Sequence, residues 1–122
     1  MDSLGYKNTK VNSRVIGREQ IRKKFGWGVT TPFEMAQILK DIRQFKIHDP
    51  AISNRMLRTL GNQMWDGEGL SQIPESVNFA CKTGSVDRSK SEVAYVFAPH
   101  GEYVYCIITK NQKDTRYLYD NE

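Results

Sequence analysis

The stretch that decides the fold is EVAYVFAPHGEYVYCIITK, residues 92–110. β-Branched and aromatic side chains alternate in two runs, Glu92–Ala98 and Glu102–Lys110, which predicts two strands. The compact turn Pro99-His100-Gly101 between them predicts a hairpin. A further strand is predicted over Val77–Thr83, and Asp87-Arg88-Ser89-Lys90 is expected to form the loop that follows it. The sheet is therefore expected to be antiparallel.

Both faces of this predicted sheet are apolar. In the last strand Tyr103, Tyr105 and Ile107 point one way, while Val104, Cys106 and Ile108 point the other. A sheet with two apolar faces needs cover on both sides. Two predicted helices can cover one face, and no other segment of the chain is long enough to cover the second.

The two helices are predicted upstream of the sheet. Thr31 is the expected N-cap of the first, with Pro32 at its first position and Glu34 completing a capping box, and the helix is expected to run to about Phe45. Its apolar stripe consists of Met35, Ile38, Leu39, Ile42 and Phe45. The second begins near Asp49-Pro50 or Ser53 and presents Ile52, Met56, Leu57, Leu60 and Met64. Helices followed by an antiparallel sheet predict an α+β fold.

Composition excludes several classes of protein. The chain has 122 residues, 39% of them hydrophobic, which is typical of one globular domain at most, or a piece of one, and not of a disordered or fibrous chain. No run approaches the roughly 18 apolar residues of a membrane span, and Met1–Lys10 has no signal-peptide core. Two cysteines and two histidines without a C-x-x-C pattern predict no structural zinc, and no cofactor is expected.

Positive charge is concentrated in the first part of the chain. Residues 1–46 carry a net charge of +6 and residues 47–122 a net charge of −2. The basic segment 7–27 also contains Phe25 and Trp27, a combination found in nucleic-acid-binding proteins. It matches no binding motif, so a solvated surface is the favoured interpretation and no nucleic-acid partner is expected. A non-enzymatic binding module that uses this segment is the alternative hypothesis.

A candidate substrate site lies at the end of the first predicted strand, where Lys82-Thr83-Gly84-Ser85 follows Phe79-Ala80-Cys81. A lysine and two hydroxyls can bind a carboxylate, and glycine allows a ligand to approach the backbone closely. A backbone N–H at a strand edge is the type of donor that forms an oxyanion hole.

Five segments, in order along the chain, resemble those of one protein family. They are Leu4-Gly5-Tyr6-Lys7-Asn8-Thr9, Thr30-Thr31-Pro32-Phe33-Glu34-Met35-Ala36, Lys82-Thr83-Gly84-Ser85, Ser89-Lys90-Ser91-Glu92-Val93-Ala94-Tyr95-Val96 and Pro99-His100-Gly101. The chain resembles the C-terminal half of a class A β-lactamase or penicillin-binding-protein-like serine hydrolase. The resemblance implies that residues 1–122 form part of such a domain, an incomplete DD-peptidase-like fold without its nucleophile region and its last helix.

The resemblance also assigns roles to residues. Lys82, Thr83, Gly84 and Ser85 would line the pocket for a carboxylate-bearing small molecule or peptide, and the Ser85 N–H would be one of two oxyanion donors. Lys90 lies where many relatives carry an arginine that holds this carboxylate, although Arg88 is nearby and Glu92 replaces the usual aspartate. Members of the family are bacterial enzymes of the cell envelope or the exterior, which leaves the location of this chain open.

The nucleophile of the family has no counterpart in this sequence. None of the eight serines precedes a lysine in an S-x-x-K pattern. The second motif of the family reads S-x-N or Y-x-N, and Ser76-Val77-Asn78 and Tyr119-Asp120-Asn121 match these letters only by chance. Glu19 lacks the E-x-x-L-N pattern of the glutamate that activates the deacylating water in β-lactamases. Cys81 and Cys106 are expected to be buried and small, and His48 and His100 to be exposed. The chain is therefore expected to be inactive alone.

Association with other polypeptides is the last expectation. In the family the last strand pairs with the first strand, so the edge of Glu102–Lys110 is expected to be open and to promote self-association. A partner chain that supplies the missing strands and the serine is the alternative.

Overall fold

The structure, a computed structural model, describes residues 2–64, 67–86 and 88–113. Its helices are α1 (Glu19–Phe25), α2 (Pro32–Arg43) and α3 (Pro50–Gly61), and short 3-10 turns occupy Asp2–Leu4 and Glu68–Gln72. Its strands are β1 (Lys10–Val11), β2 (Gly28–Val29), β3 (Phe79–Val86), β4 (Ser89–Val96) and β5 (Tyr103–Ile108). The predicted α+β class is confirmed.

The two predicted helices begin where the sequence places them. Thr31 Oγ1 accepts a hydrogen bond of 3.2 Å from the Glu34 N–H, and Asp49 Oδ1 accepts one of 2.8 Å from the Ile52 N–H. A proline follows each of these N-caps at the first helical position. Helix α2 ends at Arg43, slightly earlier than the predicted Phe45, which has a left-handed φ of 57°.

The main sheet is antiparallel with the strand order β3-β4-β5. Its register pairs Cys81 with Ala94 and Val93 with Cys106. Side chains alternate between two faces of a strand. We call one the helix face, with Ala80, Lys82, Val93, Tyr95, Phe97, Val104 and Cys106. The other is the loop face, with Phe79, Cys81, Thr83, Ser85, Lys90, Glu92, Ala94, Val96, Tyr103, Tyr105 and Ile107.

Different segments cover the two faces. Helix α2 packs on the helix face, where the Arg43 guanidinium lies 5.7 Å from the centre of the Phe97 ring, and α3 packs beside α2 and against β3. On the loop face, Leu70 of the Glu68–Gln72 turn is 2% exposed and packs against Cys81, Ala94 and Val96. The expectation that no other segment covers the second face was therefore wrong for its centre. Near β5, Tyr103 and Ile107 are 49% and 55% exposed.

The hairpin of β3 and β4 is longer than the sequence predicts. Strand β3 continues to Val86 and β4 begins at Ser89, so Ser89 and Lys90 lie in a strand rather than in the predicted loop. Thr109 holds this end of β4 in place, since its hydroxyl accepts from the Lys90 N–H at 2.8 Å and its carbonyl accepts from the Ser89 hydroxyl at 2.7 Å. These partners are distant in sequence, and no local pattern indicates them.

Between Thr9 and Thr31 the structure adds elements that the sequence analysis did not predict. Strands β1 and β2 pair Lys10 with Val29, and α1 lies between them along the chain. Gly28 allows the two strands to approach closely, because a Cβ at this position would lie 3.0 Å from the Lys10 carbonyl oxygen, a tight contact. None of the helices in the described part of the chain is both long and apolar enough to cross a bilayer.

Candidate functional site

The backbone of β3 presents two residues of the Lys82–Ser85 motif at the free edge of the sheet. The Phe97 N–H donates to the Asn78 carbonyl at 2.9 Å, and this pair continues the register of β3 and β4. Hydrogen-bonded pairs alternate along an antiparallel ladder, so Ala80, Lys82 and Gly84 bond to β4. The N–H and C=O groups of Thr83 and Ser85 consequently point away from β4.

The side chains of the predicted site divide between the two faces. Thr83 and Ser85 lie on the loop face opposite Glu92 and Lys90, in pairs that place Cβ atoms about 4.5–5.5 Å apart. Lys82 lies on the helix face, is exposed, and its ammonium donates to the outward-pointing Thr83 carbonyl. The structure thus brings Thr83, Ser85 and Lys90 together, while Lys82 reaches the same edge from the opposite face.

Gly84 permits close contact between the two strands. A Cβ at Gly84 would lie only 2.9 Å from Ser91 Oγ on the neighbouring strand. The Ser91 hydroxyl itself lies 3.5 Å from the Gly84 carbonyl oxygen. Any larger residue at this position would require the Ser91 side chain to move, and glycine is also suited to a close ligand.

Glu92 is a buried acid beside the candidate site. It is 7% exposed, and one of its oxygens accepts a hydrogen bond from the Tyr105 hydroxyl. Burial and this carboxylate both raise the pKa of Tyr105. The other oxygen, Oε2, is buried and has no hydrogen-bond partner among the described residues. In the sequence, Glu92 stands out only as a replacement for aspartate, because alternation alone does not reveal how deeply a strand residue is buried.

A second polar cluster joins two of the sequence segments on which the family resemblance rests. Glu34 accepts hydrogen bonds from the Asn8 N–H at 3.0 Å, the Asn8 side chain at 3.0 Å and the Thr9 hydroxyl at 2.6 Å. The hydrogen bond from Thr9, followed by the one from the Asn8 backbone, lowers the pKa of Glu34. The capping-box prediction was thus half right, because Thr31 caps the helix while the Glu34 carboxylate instead holds residues 8 and 9.

The remaining candidate residues are two cysteines, two histidines, Glu19 and one tyrosine motif. Cys81 is buried as expected; Cys106 is half-buried, and its burial raises the pKa of the thiol. His48 and His100 are exposed as predicted. Glu19 begins α1 and accepts from the Gly17 N–H at 3.3 Å. Tyr119-Asp120-Asn121 lies outside the described residues, and within those residues no three His, Cys, Asp or Glu side chains cluster as metal ligands would.

The fold is that of one half of a β-lactamase-like domain. A beta-lactamase from Sphaerobacter thermophilus DSM 20745 matches with a TM-score of 0.76 and 22% identity over 93% of this chain and 43% of its own. A representative of class A beta-lactamase from Bacteroides cellulosilyticus DSM 14838 matches with a TM-score of 0.72 and 19% identity, over 94% of this chain and 44% of its own. PBP-A matches with a TM-score of 0.72 and 20% identity, over 94% of this chain and 42% of its own.

The family follows from the sequence as a whole. A model of the beta-lactamase enzyme family matches residues 1–122, and the chain belongs to that family. No curated protein matches it. The chain spans less than half the length of the solved structures named above.

Proposed function

We propose that this chain forms the carboxylate-binding and oxyanion side of an acyl-transfer site in a β-lactamase-like serine hydrolase. The substrates of that site would be β-lactams, peptides ending in D-alanine or esters. We further propose that the isolated chain does not form an acyl-enzyme.

The observation that carries the proposal is the outward direction of the Ser85 N–H. This donor lies at the free edge of β3 and makes no ladder bond to β4. A preorganised backbone N–H stabilises the negative charge that develops on a carbonyl oxygen during acyl transfer. A ligand carbonyl placed along this edge would accept that hydrogen bond.

The side chains around this edge are suited to an anionic substrate. Lys82 supplies a positive charge from one face, and Thr83, Ser85 and Lys90 supply hydroxyls and a second positive charge from the other. The buried Glu92 lies opposite Thr83 and partly offsets this charge. Carboxylate binding is consequently expected to be weak and to depend on salt.

Catalysis by this chain alone would require a nucleophile that its sequence does not provide in an S-x-x-K pattern. One of the similar structures, the L158E mutant of PBP-A, is an acyl-enzyme complex with penicillin G. For this chain we expect neither turnover of nitrocefin nor covalent labelling by a fluorescent penicillin. Labelling that survives denaturation would refute inactivity and would locate an unrecognised nucleophile.

Reversible binding tests the site itself. Titration of the labelled full chain with benzylpenicillin should shift the amide resonances of Thr83 and Ser85 in NMR spectra. Lys82→Ala should weaken these shifts, whereas Lys46→Ala, which removes an exposed lysine outside the sheet, should not. Equal shifts in both variants, or shifts confined to other segments, would contradict the proposed site.

A second candidate function uses the basic segment 7–27. The Trp27 side chain is 80% exposed and that of Phe25 is 55% exposed, and the Lys24 ammonium lies 5.1 Å from the centre of the Phe25 ring. Exposed aromatic rings among cations suit an anionic partner. The module would bind single-stranded nucleic acid with an affinity that falls with salt, and a lack of binding at low salt would exclude it.

The free edge of β5 supports one more proposal, that the chain self-associates. A partner chain that supplies a nucleophile is the alternative occupant of this edge, and co-expression with a candidate partner would reveal it.

A further inference from the structure

Strand β5 is an edge strand in the part of the chain that the structure describes. The Thr109 N–H donates to the Lys90 carbonyl at 2.8 Å, which fixes the hydrogen-bonding phase between β4 and β5. Tyr103, Tyr105 and Ile107 therefore bond to β4. The N–H and C=O groups of Val104, Cys106 and Ile108 point to the free edge.

Among the described residues, this edge has none of the features that usually prevent strand pairing. Natural edge strands are protected by charged residues, prolines or bulges. Tyr103–Ile108 reads YVYCII, with no charge and no proline, and its pairing with β4 is regular along the whole strand. An unprotected apolar edge of this kind is a template for another strand.

The exposed apolar side chains of β5 lie on the loop face, on either side of Tyr105. Tyr103 is 49% exposed and Ile107 is 55% exposed, while Tyr105 between them is held by Glu92 and the Leu70 cluster. The pattern is symmetric about Tyr105. It fits an antiparallel partner strand whose exposed apolar side chains have the same spacing.

We propose that β5 pairs antiparallel with β5 of a second copy of this chain, about a two-fold axis through Tyr105. In this register Val104 lies opposite Cys106 of the second copy, and their outward-pointing backbone groups exchange hydrogen bonds. Tyr103 lies opposite Ile107 of the second copy, so the two most exposed side chains of the strand cover each other twice. The two sheets become one sheet of six strands.

Self-complementarity is the reason to prefer a second copy over a foreign strand. Moving the register by one residue would place outward-pointing backbone groups opposite groups already bonded to β4, and the hydrogen bonds would be lost. The inference rests on the proposed self-association and is independent of the acyl-transfer site on β3. Benzylpenicillin shifts at Ser85 and the mass of the chain therefore test the two proposals separately.

The first test is the mass of the full chain in solution, measured by sedimentation over a concentration series. The wild-type chain should approach a dimer, and Ile107→Lys should remain monomeric because a charge is introduced beside Tyr103 of the second copy. Phe33→Lys is the matched control, since Phe33 is 77% exposed but lies on α2, and it should dimerise normally. A wild-type chain that stays monomeric, or an Ile107→Lys variant that still dimerises, would overturn the proposal.

A backbone variant separates pairing from side-chain effects. Val104→Pro removes an N–H that points away from β4, so the monomer should stay folded by circular dichroism while the dimer is lost. Retention of the dimer in a folded Val104→Pro variant would refute pairing through this edge.

Cysteine cross-linking tests the register. Val104→Cys places a thiol opposite Cys106 of the second copy, at a Cα separation of about 5.5 Å that a disulfide can span. Mild oxidation should cross-link this variant but not Ile108→Cys, whose new thiol lies on the same face without a cysteine opposite it. A disulfide between the native Cys106 residues of the wild-type chain would instead show a different register and contradict the axis through Tyr105.

Discussion

Gly84 belongs to the candidate site and also lies close to Ser91 on the neighbouring strand. The Cβ of an alanine at position 84 would meet Ser91 Oγ at 2.9 Å, which is closer than side chains normally pack. We expect Gly84→Ala to lower the free energy of unfolding by about 1–3 kcal/mol, a typical cost of overpacking. Urea denaturation would measure this change.

The double variant provides the control for this prediction. Ser91→Ala removes the hydroxyl that the new methyl group would meet. In the Ser91→Ala background, Gly84→Ala should therefore cost much less than it does alone. An equal cost in both backgrounds would mean that the loss does not come from this contact.

Glu34 gives the chain a pH-dependent attachment between residues 8–9 and α2. Hydrogen bonds from Thr9 and Asn8 lower its pKa in the folded state below the ordinary value near 4.3. The stabilisation is therefore complete above that ordinary value and is lost as the pH falls through the lower folded pKa. Stability should decline in acid for this reason.

Glu34→Gln tests this attachment. The variant should be less stable than the wild type at neutral pH, and the difference should shrink in acid, as measured by urea midpoints across the pH series. Asp49 and Glu102 also have lowered pKa values, so some acid sensitivity should remain. Glu75→Gln, at an exposed position, is the control and should change neither quantity. A constant difference across the whole pH range would contradict the assignment.

At the scale of elements, the short turn Glu68–Gln72 covers the centre of the loop face. Leu70 is 2% exposed and fills the space over Cys81, Ala94 and Val96. Leu70→Ala should lower the free energy of unfolding by about 2–5 kcal/mol, because it removes buried methyl groups and leaves a cavity. Leu4→Ala, at a position 44% exposed, should cost far less. Similar losses in both variants would show that Leu70 does not anchor this face.

The elements that could be predicted are those with local signals. Thr31-Pro32 and Asp49-Pro50 each start a helix with two adjacent residues, and period-two alternation marks β4 and β5. Strands β1 and β2 have only two residues each, which is too short for any periodicity. Their pairing also joins residues that are some distance apart along the chain. The β3–β4 turn was misplaced because Ser89 and Lys90 are polar and are held in the strand by Thr109.

The candidate site was predictable in composition but not in arrangement. Lys82, Thr83, Gly84, Ser85 and Lys90 stand out by residue type, and their division between two faces follows once the register is known. The burial of Glu92 and the attachment of Glu34 to Thr9 depend on packing between distant segments. Such contacts leave no pattern in the local sequence.

At the scale of the whole molecule, several large apolar side chains are exposed to solvent. Ile16 is 98% exposed, Trp27 80% and Phe33 77%, in addition to Tyr103 and Ile107 on β5. The similar structures are more than twice as long, and the chain covers only 42–44% of three of them. Exposed apolar side chains of this kind can bind an apolar dye.

The native chain should therefore bind the dye ANS at neutral pH while keeping a near-ultraviolet circular dichroism spectrum, which distinguishes it from a molten globule. Trp27→Ser and Phe33→Ser should each reduce the dye fluorescence. Met64→Ser serves as a control for an exposed apolar side chain outside the helices and strands, since Met64 is 95% exposed. Dye binding that appears only together with loss of the near-ultraviolet signal would mean that the fold itself is loose.

The Glu34 attachment has a consequence for how this protein tolerates change. Together with the Lys10–Val29 pair, it closes residues 10–29 into a lobe that is fastened at its base. Lengthening a loop whose ends are already fixed is cheap, about 0.6 kcal/mol for each doubling. Peptide tags or binding sequences inserted at Ser13–Gly17 should therefore leave the sheet and its Ser85 edge undisturbed, which makes the tip of this lobe a natural place for engineering.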